Sequence, residues 1–380
     1  MEALKNLLRF SFFFLIIQLA ACRDDKNTVP PEVSVPVDSS QLGAWERHPE
    51  VKGDNFISRK LFVDKNKLFC VGGSHFMSFD ATHKMIQSYK FSDIDIGNFS
   101  IREPYINNQY FVYSDPFYNP KFVKIHLVAN PSVSATINVS DIDSTYQRVF
   151  YETGQPCAIV NDKLILPSVR RIKTNDPNRG DSIVTIDYFH VYALSHTNSK
   201  IDYKYEKTIT INDRKRYSTV EDIFSLYTDD SNFYYVLEGL KKVNLSTGGS
   251  NLEANTPQYG KYGFKNDTLW GLGFDRNIGT QITFKTNVWN TFTLGDFGDG
   301  GNIKWYFLDN KHIIGVFEGR QIFELDVDLK SNKFSLIELL SSGTRNINDI
   351  AIFKDRVYVA SNDGLFYKSV DSFFTRKKPK

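Results

Sequence analysis

Beyond residue 43 the chain alternates short apolar-aromatic runs with polar corners, and no stretch carries a convincing helical period. One unit recurs: a polar turn, a short strand-like run, a second turn often holding Gly, and another short run. It reads as DKNKLFCVGGSHFMSFD at 64–80, INNQYFVYSDPFYNPKFVKIHL at 106–127, and VNDKLILPSV at 160–169 with DYFHVYAL at 187–194. It returns as DDSNFYYVLEGLKKVNL (229–245), FKNDTLWGLGFDRNIGTQITFK (264–285), LDNKHIIGVFEGRQIFELD (308–326) and FKDRVYVASNDGLFYKSVD (353–371). Runs rich in β-branched and aromatic residues, bounded by Asn, Asp and Gly, predict strands joined by tight hairpins.

With Leu68, Tyr110, Leu164, Tyr234, Leu269, Ile313 and Val357 as equivalent positions, the steps are 42, 54, 70, 35, 44 and 44 residues. A strand of five or six residues with its turn occupies about ten, so a step of about 44 holds four strands. A small sheet of that kind cannot bury both faces alone and needs a neighbour on each side. A ring of such sheets leaves only short, protected edges. The expected fold is therefore all-β, a β-propeller over residues 44–375 of most simply seven four-stranded blades. Six or eight blades, or a pair of β-sandwiches, also remain open. The last copy supplies only NDIAIF, RVYVAS and GLFYKS, so its fourth strand is expected from Ala44–Val51, closing the ring from the N-terminal side. The third copy carries excess length: Val169 to Val184, holding RRIKTNDPNRGDS, predicts a long hairpin or loop on one rim.

Residues 1–21 have the layout of a secretory signal, with Lys5 and Arg9 before an apolar run from Phe10 to Ile17. That run is short of the roughly 20 apolar residues that span a bilayer. Leu19-Ala20-Ala21-Cys22 resembles the lipobox of bacterial lipoproteins. The resemblance implies cleavage before Cys22 and fatty acylation, palmitate included, of its thiol and new amine. At about 0.8 kcal/mol per buried CH₂, several acyl chains anchor a protein to a membrane. Asp24 and Asp25 resemble the surface-export tag of lipoproteins of the Bacteroidota, and on residue chemistry alone they also suit the start of a solvated linker. Residues 22–43, with Pro30, Pro31 and Pro36, read as an extended tether. The 376–380 segment reads as a basic tail. This combination resembles the seven-bladed propeller lipoproteins of the Bacteroidota, which places the chain at the outer membrane or cell surface.

Composition agrees with strands: aromatics reach 14%, with 31 Phe and 20 Tyr against 3 Met. A net charge of +2 without a basic stripe gives no footprint for nucleic acid. Of 3 cysteines, Cys22 is assigned to lipid, and Cys70 and Cys157 remain either to pair or to stay as buried thiols. No CxxC pair is present, so a cysteine zinc cage is excluded.

The final copy, NDGLFYKSVDSF, is similar to repeats of sensor ectodomains and sialidase-like proteins, a resemblance that implies an alternative role as an extracellular glycosidase or lyase. The Asp-boxes of that group read Ser-x-Asp-x-Gly-x-x-Trp. Here Ser369-Val370-Asp371-Ser372 lacks the Gly and Trp, and TNVWNTF at 286–292 keeps Trp289 without the Asp. Arg102, Arg148, Arg276, Arg320 and Arg345 carry no local motif that marks a carboxylate clamp. Paired acids such as Asp93/Asp95 and Asp141/Asp143 suit turns as well as acid–base chemistry. Asp296 and Asp299 in GDFGDGGN could offer oxygens to Ca²⁺, without EF-hand spacing. No cofactor motif and no nucleophile elbow occur. Candidate ligand contacts are Arg170, Arg171 and Arg179 in the insertion, for an anion, and Trp270, Trp289 and Trp305, for a sugar or protein. The function these features favour is a non-catalytic binding module for a protein or glycan, held to the membrane through Cys22.

Overall fold

The computed structural model describes residues 45–376 except 52–57, 65, 73–74, 92–103, 115–121, 139–156, 177–179, 217–224, 229–231, 237–239, 255–258, 276–278, 287, 294–302, 320, 330–332 and 340–345. The Asn and Asp residues at the predicted corners turn the chain. Asn161-Asp162, Asn266-Asp267 and Asp309-Asn310 all take left-handed backbone angles, with φ between 49° and 58°. Two successive positive φ values make the turn whose twist matches a two-residue hairpin, and Asn and Asp tolerate it best.

Strand β1 (Glu46–Arg47) precedes the ring. Blade 1 holds β2 (Ser58–Asp64), β3 (Lys67–Gly72), β4 (His75–Phe79) and β5 (Met85–Lys90). Blade 2 holds β6 (Tyr105–Ile106) to β9 (Ser134–Asn138), and blade 3 β10 (Ala158–Val160), β11 (Lys163–Asp176), β12 (Gly180–Thr197) and β13 (Lys200–Arg216). Blade 4 runs from β14 (Ser225–Thr228) to β17 (Ser250–Ala254), and blade 5 from β18 (Tyr259–Lys265) to β21 (Trp289–Thr293). Blade 6 runs from β22 (Ile303–Leu308) to β25 (Lys333–Glu338), and blade 7 holds β26 (Ile347–Phe353), β27 (Arg356–Ser361) and β28 (Gly364–Ser369). Each blade is a four-stranded antiparallel meander, so the molecule is a seven-bladed β-propeller. All seven positions aligned in the sequence fall on the second strand of their blades.

Those second strands read as unbroken apolar runs because they are buried on both faces. In the second strand of blade 2, Tyr110 and Val112 pack toward blade 3 and Phe111 and Tyr113 toward blade 1. The core is accordingly divided into apolar layers between blades. Phe189, Phe233 and Tyr235 join blades 3 and 4, Val236 and Tyr262 join blades 4 and 5, and Trp270, Leu272 and Trp305 join blades 5 and 6. Tyr306, Ile314 and Val357 join blades 6 and 7, and Leu68, Phe79 and Tyr358 complete the circle between blades 7 and 1.

As expected, the N-terminal stretch supplies the fourth strand of blade 7: β1 pairs with β28, Glu46 opposite Tyr367 and Arg47 opposite Phe366. The clasp is then bolted to blade 1. The Met85 N–H donates to Glu50 Oε2 at 2.6 Å, and His48 Nε2 donates to the His83 carbonyl at 3.0 Å. His83 in turn donates from Nε2 to Asp355 Oδ1 at 2.9 Å and accepts at Nδ1 from the Tyr358 hydroxyl at 2.8 Å. A second pairing of this kind joins blade 2 to blade 3, where Tyr110 Oη lies 2.8 Å from His196 Nδ1.

The insertion in the third repeat is no loose loop. It prolongs β11, β12 and β13 to 14, 18 and 17 residues, making a three-stranded ribbon. In it β11 and β12 keep continuous register from Lys163–Ala193 to Asp176–Gly180, and β13 pairs with β12 through two register shifts, at Asp187/Tyr188 and Val191/Tyr192. Cys70 and Cys157 are both free thiols, buried in different layers, one between blades 7 and 1 and the other between blades 2 and 3. Arg376 is no free tail residue: Leu339 and Arg376 form a bridge, and Arg376 Nη2 lies 3.3 Å from Glu324 Oε2. Among the described residues no helix is long and apolar enough to cross a membrane.

Candidate functional site

The innermost strand of a blade borders the central channel, so its side chains alternate between the layers on either side while its backbone faces the axis. β2, β18, β22 and β26 wall a cavity of about 320 Å³ on that axis. Its polar groups are Lys60, Lys261, Tyr262, Tyr306, Asp309 and Asp349, set among Leu61, Val63, Leu308, Ile350 and Ile352.

Asp349 is 5% exposed and already engaged. Its Oδ2 accepts the Leu61 N–H at 2.9 Å and lies 3.3 Å from Lys60 Nζ, while Oδ1 accepts the Ile350 N–H at 3.1 Å. The carboxylate thus ties the inner strand of blade 7 to that of blade 1. Asp309 stands in a left-handed corner with Lys311 Nζ 3.7 Å away, largely in solvent. Lys261 Nζ sits 4.8 Å from the centre of the Tyr306 ring, a cation over a π face. The Tyr306 hydroxyl donates to the Asn348 carbonyl at 3.1 Å, and Asn348 Nδ2 donates to the Ser58 carbonyl at 2.6 Å. Beside them, burial pulls the Arg59 guanidinium down from the ordinary arginine range, and its buried Nε has no hydrogen-bond partner.

Chemically, this wall offers cations and backbone polarity. It suits holding a polar or anionic group. It does not set two carboxylates to work as acid and base, because the buried one is consumed by three structural contacts. Among the described residues no group of three or more His, Cys, Asp or Glu is gathered as a metal site.

Trp270 and Trp305 are 2% and 4% exposed, packed between blades 5 and 6, so neither ring offers a face to a ligand. Trp289 is half-buried at the start of β21, with Lys285 Nζ 5.8 Å from its ring centre. Arg170 and Arg171 lie on β11 in the blade 3 ribbon. Cys22, Asp24, Asp25, Arg179, Asp296 and Asp299 lie outside the described residues. The segment closest to an Asp-box is a different structure altogether. Ser369 caps a single helical turn, α1 (Val370–Phe373), its Oγ accepting the Ser372 N–H at 3.3 Å. Sequence reasoning missed Lys60, Lys261, Tyr306 and Asp349, whose one signal is their place in the first strand of a repeat.

No protein-family model and no curated protein matches the chain. Among solved structures it is similar to the extracellular domain of BT4673 from B. thetaiotaomicron, at 11% identity and a TM-score of 0.51. That match covers 86% of this chain and 40% of the other, so the chain spans less than half of that extracellular domain's length. It is also similar to a chain of the mitotic checkpoint complex, at 12% identity and a TM-score of 0.50, covering 89% of this chain and 97% of that one. Similarity at this level is a likeness of fold.

Proposed function

We propose that the chain is an envelope lipoprotein, anchored through acyl chains on Cys22, whose propeller is a non-catalytic binding module for a protein or glycan. The observation that carries the binding reading is the chemistry of the channel wall. Its buried carboxylate is locked to Leu61 and Lys60, while the exposed Lys261 leaves a cationic surface beside it. Asp24 and Asp25 direct the anchored protein to the outer face of the outer membrane. The extracellular placement of the BT4673 domain, which shares the fold, supports that side of the envelope.

The test is crosslinking on intact cells, purification of the native protein, and mass spectrometry of what accompanies it, run beside glycan-binding and glycan-hydrolysis assays. A stoichiometric protein partner or a retained glycan, with no bond cleaved, is the expected result. Hydrolysis or elimination that disappears with Asp349→Asn would overturn it. The anchor is checked separately: Cys22→Ser is expected to abolish palmitate labelling, and protease added to intact cells is expected to degrade the wild type.

A further inference from the structure

The register of the blade 3 ribbon brings together basic residues that lie far apart in sequence. Arg171 on β11 stands opposite Thr185 on β12, and Thr185 stands opposite Arg214 on β13. Two residues further out, Lys173 stands opposite Ile183, and Ile183 opposite Arg216. Directly paired residues share a face of a sheet, and so do residues two apart on one strand. Arg171, Lys173, Arg214 and Arg216 therefore occupy the four corners of one patch, with Thr185 and Ile183 along its midline. Strand spacing sets the corners about 10 Å apart across the ribbon and about 7 Å apart along it. On the same face, Asp187 and Asp181 bound the patch at either end, opposite Val169 and Asn175. It is the face on which Phe189 and Val191, lower on β12, pack against blade 4. Arg170 belongs to the other face, with Ile172, Val184, Ile186, Asp213 and Lys215.

We propose that this face of the ribbon binds an anionic polysaccharide, its carboxylate or sulfate groups taken up by Arg171, Lys173, Arg214 and Arg216. The inference deepens the binding function proposed above and rests on it. A ribbon with cations at regular intervals matches an extended polymer that repeats its charge along its length. Three of the four cations are arginines, whose planar fork takes carboxylate or sulfate oxygens two at a time. The grid is built by tertiary structure: forty-odd residues of chain separate Arg171 from Arg214, and only the third strand completes it.

The test uses the full chain and immobilised polygalacturonate and dextran sulfate, with neutral dextran as the reference. The wild type is expected to bind both polyanions, to weaken steeply with added salt, and to ignore neutral dextran. Arg171→Gln with Arg214→Gln is expected to lower affinity about tenfold. A control of equal charge, Lys67→Gln with Lys333→Gln on blades 1 and 6, is expected to change it less than twofold at fixed salt. Thr185→Glu, which sets a carboxylate at the centre of the grid, is expected to abolish binding and serves where the double variant does not fold. Equal losses in the patch and control variants would overturn the proposal, as would binding to anionic phospholipid vesicles with none to either polysaccharide. Aggregation of the double variant with unchanged affinity would also overturn it, since the arginines would then be guarding the open edge of β13. The two levels separate cleanly. Cleavage of a bound polyanion would refute the non-catalytic function and leave this site standing. A protein partner captured without polyanion binding would do the reverse.

Discussion

Replacing Asp349 by alanine tests whether the channel carboxylate is a structural tie. The change strands the Leu61 N–H, which now donates to Oδ2 at 2.9 Å in a buried setting, and leaving such a donor unpaired costs about 1–3 kcal/mol. It also removes the partner of Lys60. That side chain is 20% exposed, so water recovers part of the loss and about 0.5–1 kcal/mol is a fair charge for it. The sum is about 1.5–4 kcal/mol, or a melting temperature lower by roughly 2–6 °C for a domain of this size. Asp349→Asn keeps an oxygen for Leu61 and drops only the charge, so about 1 kcal/mol is expected. Scanning calorimetry of the wild type and both variants, at one pH and one scan rate, gives the answer. If Asp349→Ala melts with the wild type, the carboxylate does not join blades 7 and 1, and the case against acid–base chemistry in the channel falls with it.

Gly263 lies beneath Phe307 of the next blade, and a Cβ added there would come within 2.3 Å of the ring. Gly263→Ala is expected to destabilise by about 1–3 kcal/mol, and Phe307→Ala in the same chain to remove most of that penalty in a double-mutant cycle of urea unfolding. His126 donates from Nδ1 to the Pro131 carbonyl at 2.7 Å and keeps Nε2 buried without a partner, its ring 5.0 Å from Phe91 and 5.6 Å from Tyr113. Burial brings its pKa down to about 4, so the unfolded chain binds the extra proton first. Stability is expected to be intact above pH 6.5 and to fall as pH drops toward 4. Unfolding measured across that range should show a shallower slope for His126→Gln, and an unchanged slope would refute the assignment. Burial pushes the Cys70 thiol up to about 12 and raises Cys157 too, so an alkylating reagent at pH 8 is expected to leave both untouched until denaturant is added. Rapid modification of either in the native protein would contradict their placement in the layers.

The repeat was legible because each second strand is buried on both sides and each corner needs Asn or Asp. KND before Leu269 and LDN before Ile313 announce their hairpins in plain residue types. The missing fourth strand of blade 7 was legible by subtraction. The extension of β13 was not, because NDRKR at 212–216 is polar throughout and reads as loop until β12 pairs with it. The channel wall was hidden for a different reason. A first strand shows only alternation, and nothing local says that Lys60 of blade 1 and Asp349 of blade 7, nearly three hundred residues apart, meet across a closure. Tryptophan misled in the opposite sense: Trp270 and Trp305 are large enough to serve a ligand, and the layer between blades 5 and 6 uses that size for packing.

The clasp has a mechanical consequence. Chain upstream of Trp45 enters the fold through β1, the strand that completes blade 7. Tension along that upstream chain is delivered to the seam of the ring before any other part. Two ladder positions and the links from His48 and Glu50 to blade 1 carry the load together. If they part, blade 7 is left with three strands and blades 7 and 1 lose a shared fastening. A pull from the N-terminal side thus meets the propeller at the point where it opens, whereas a pull on the blade 3 ribbon is spread over three long strands.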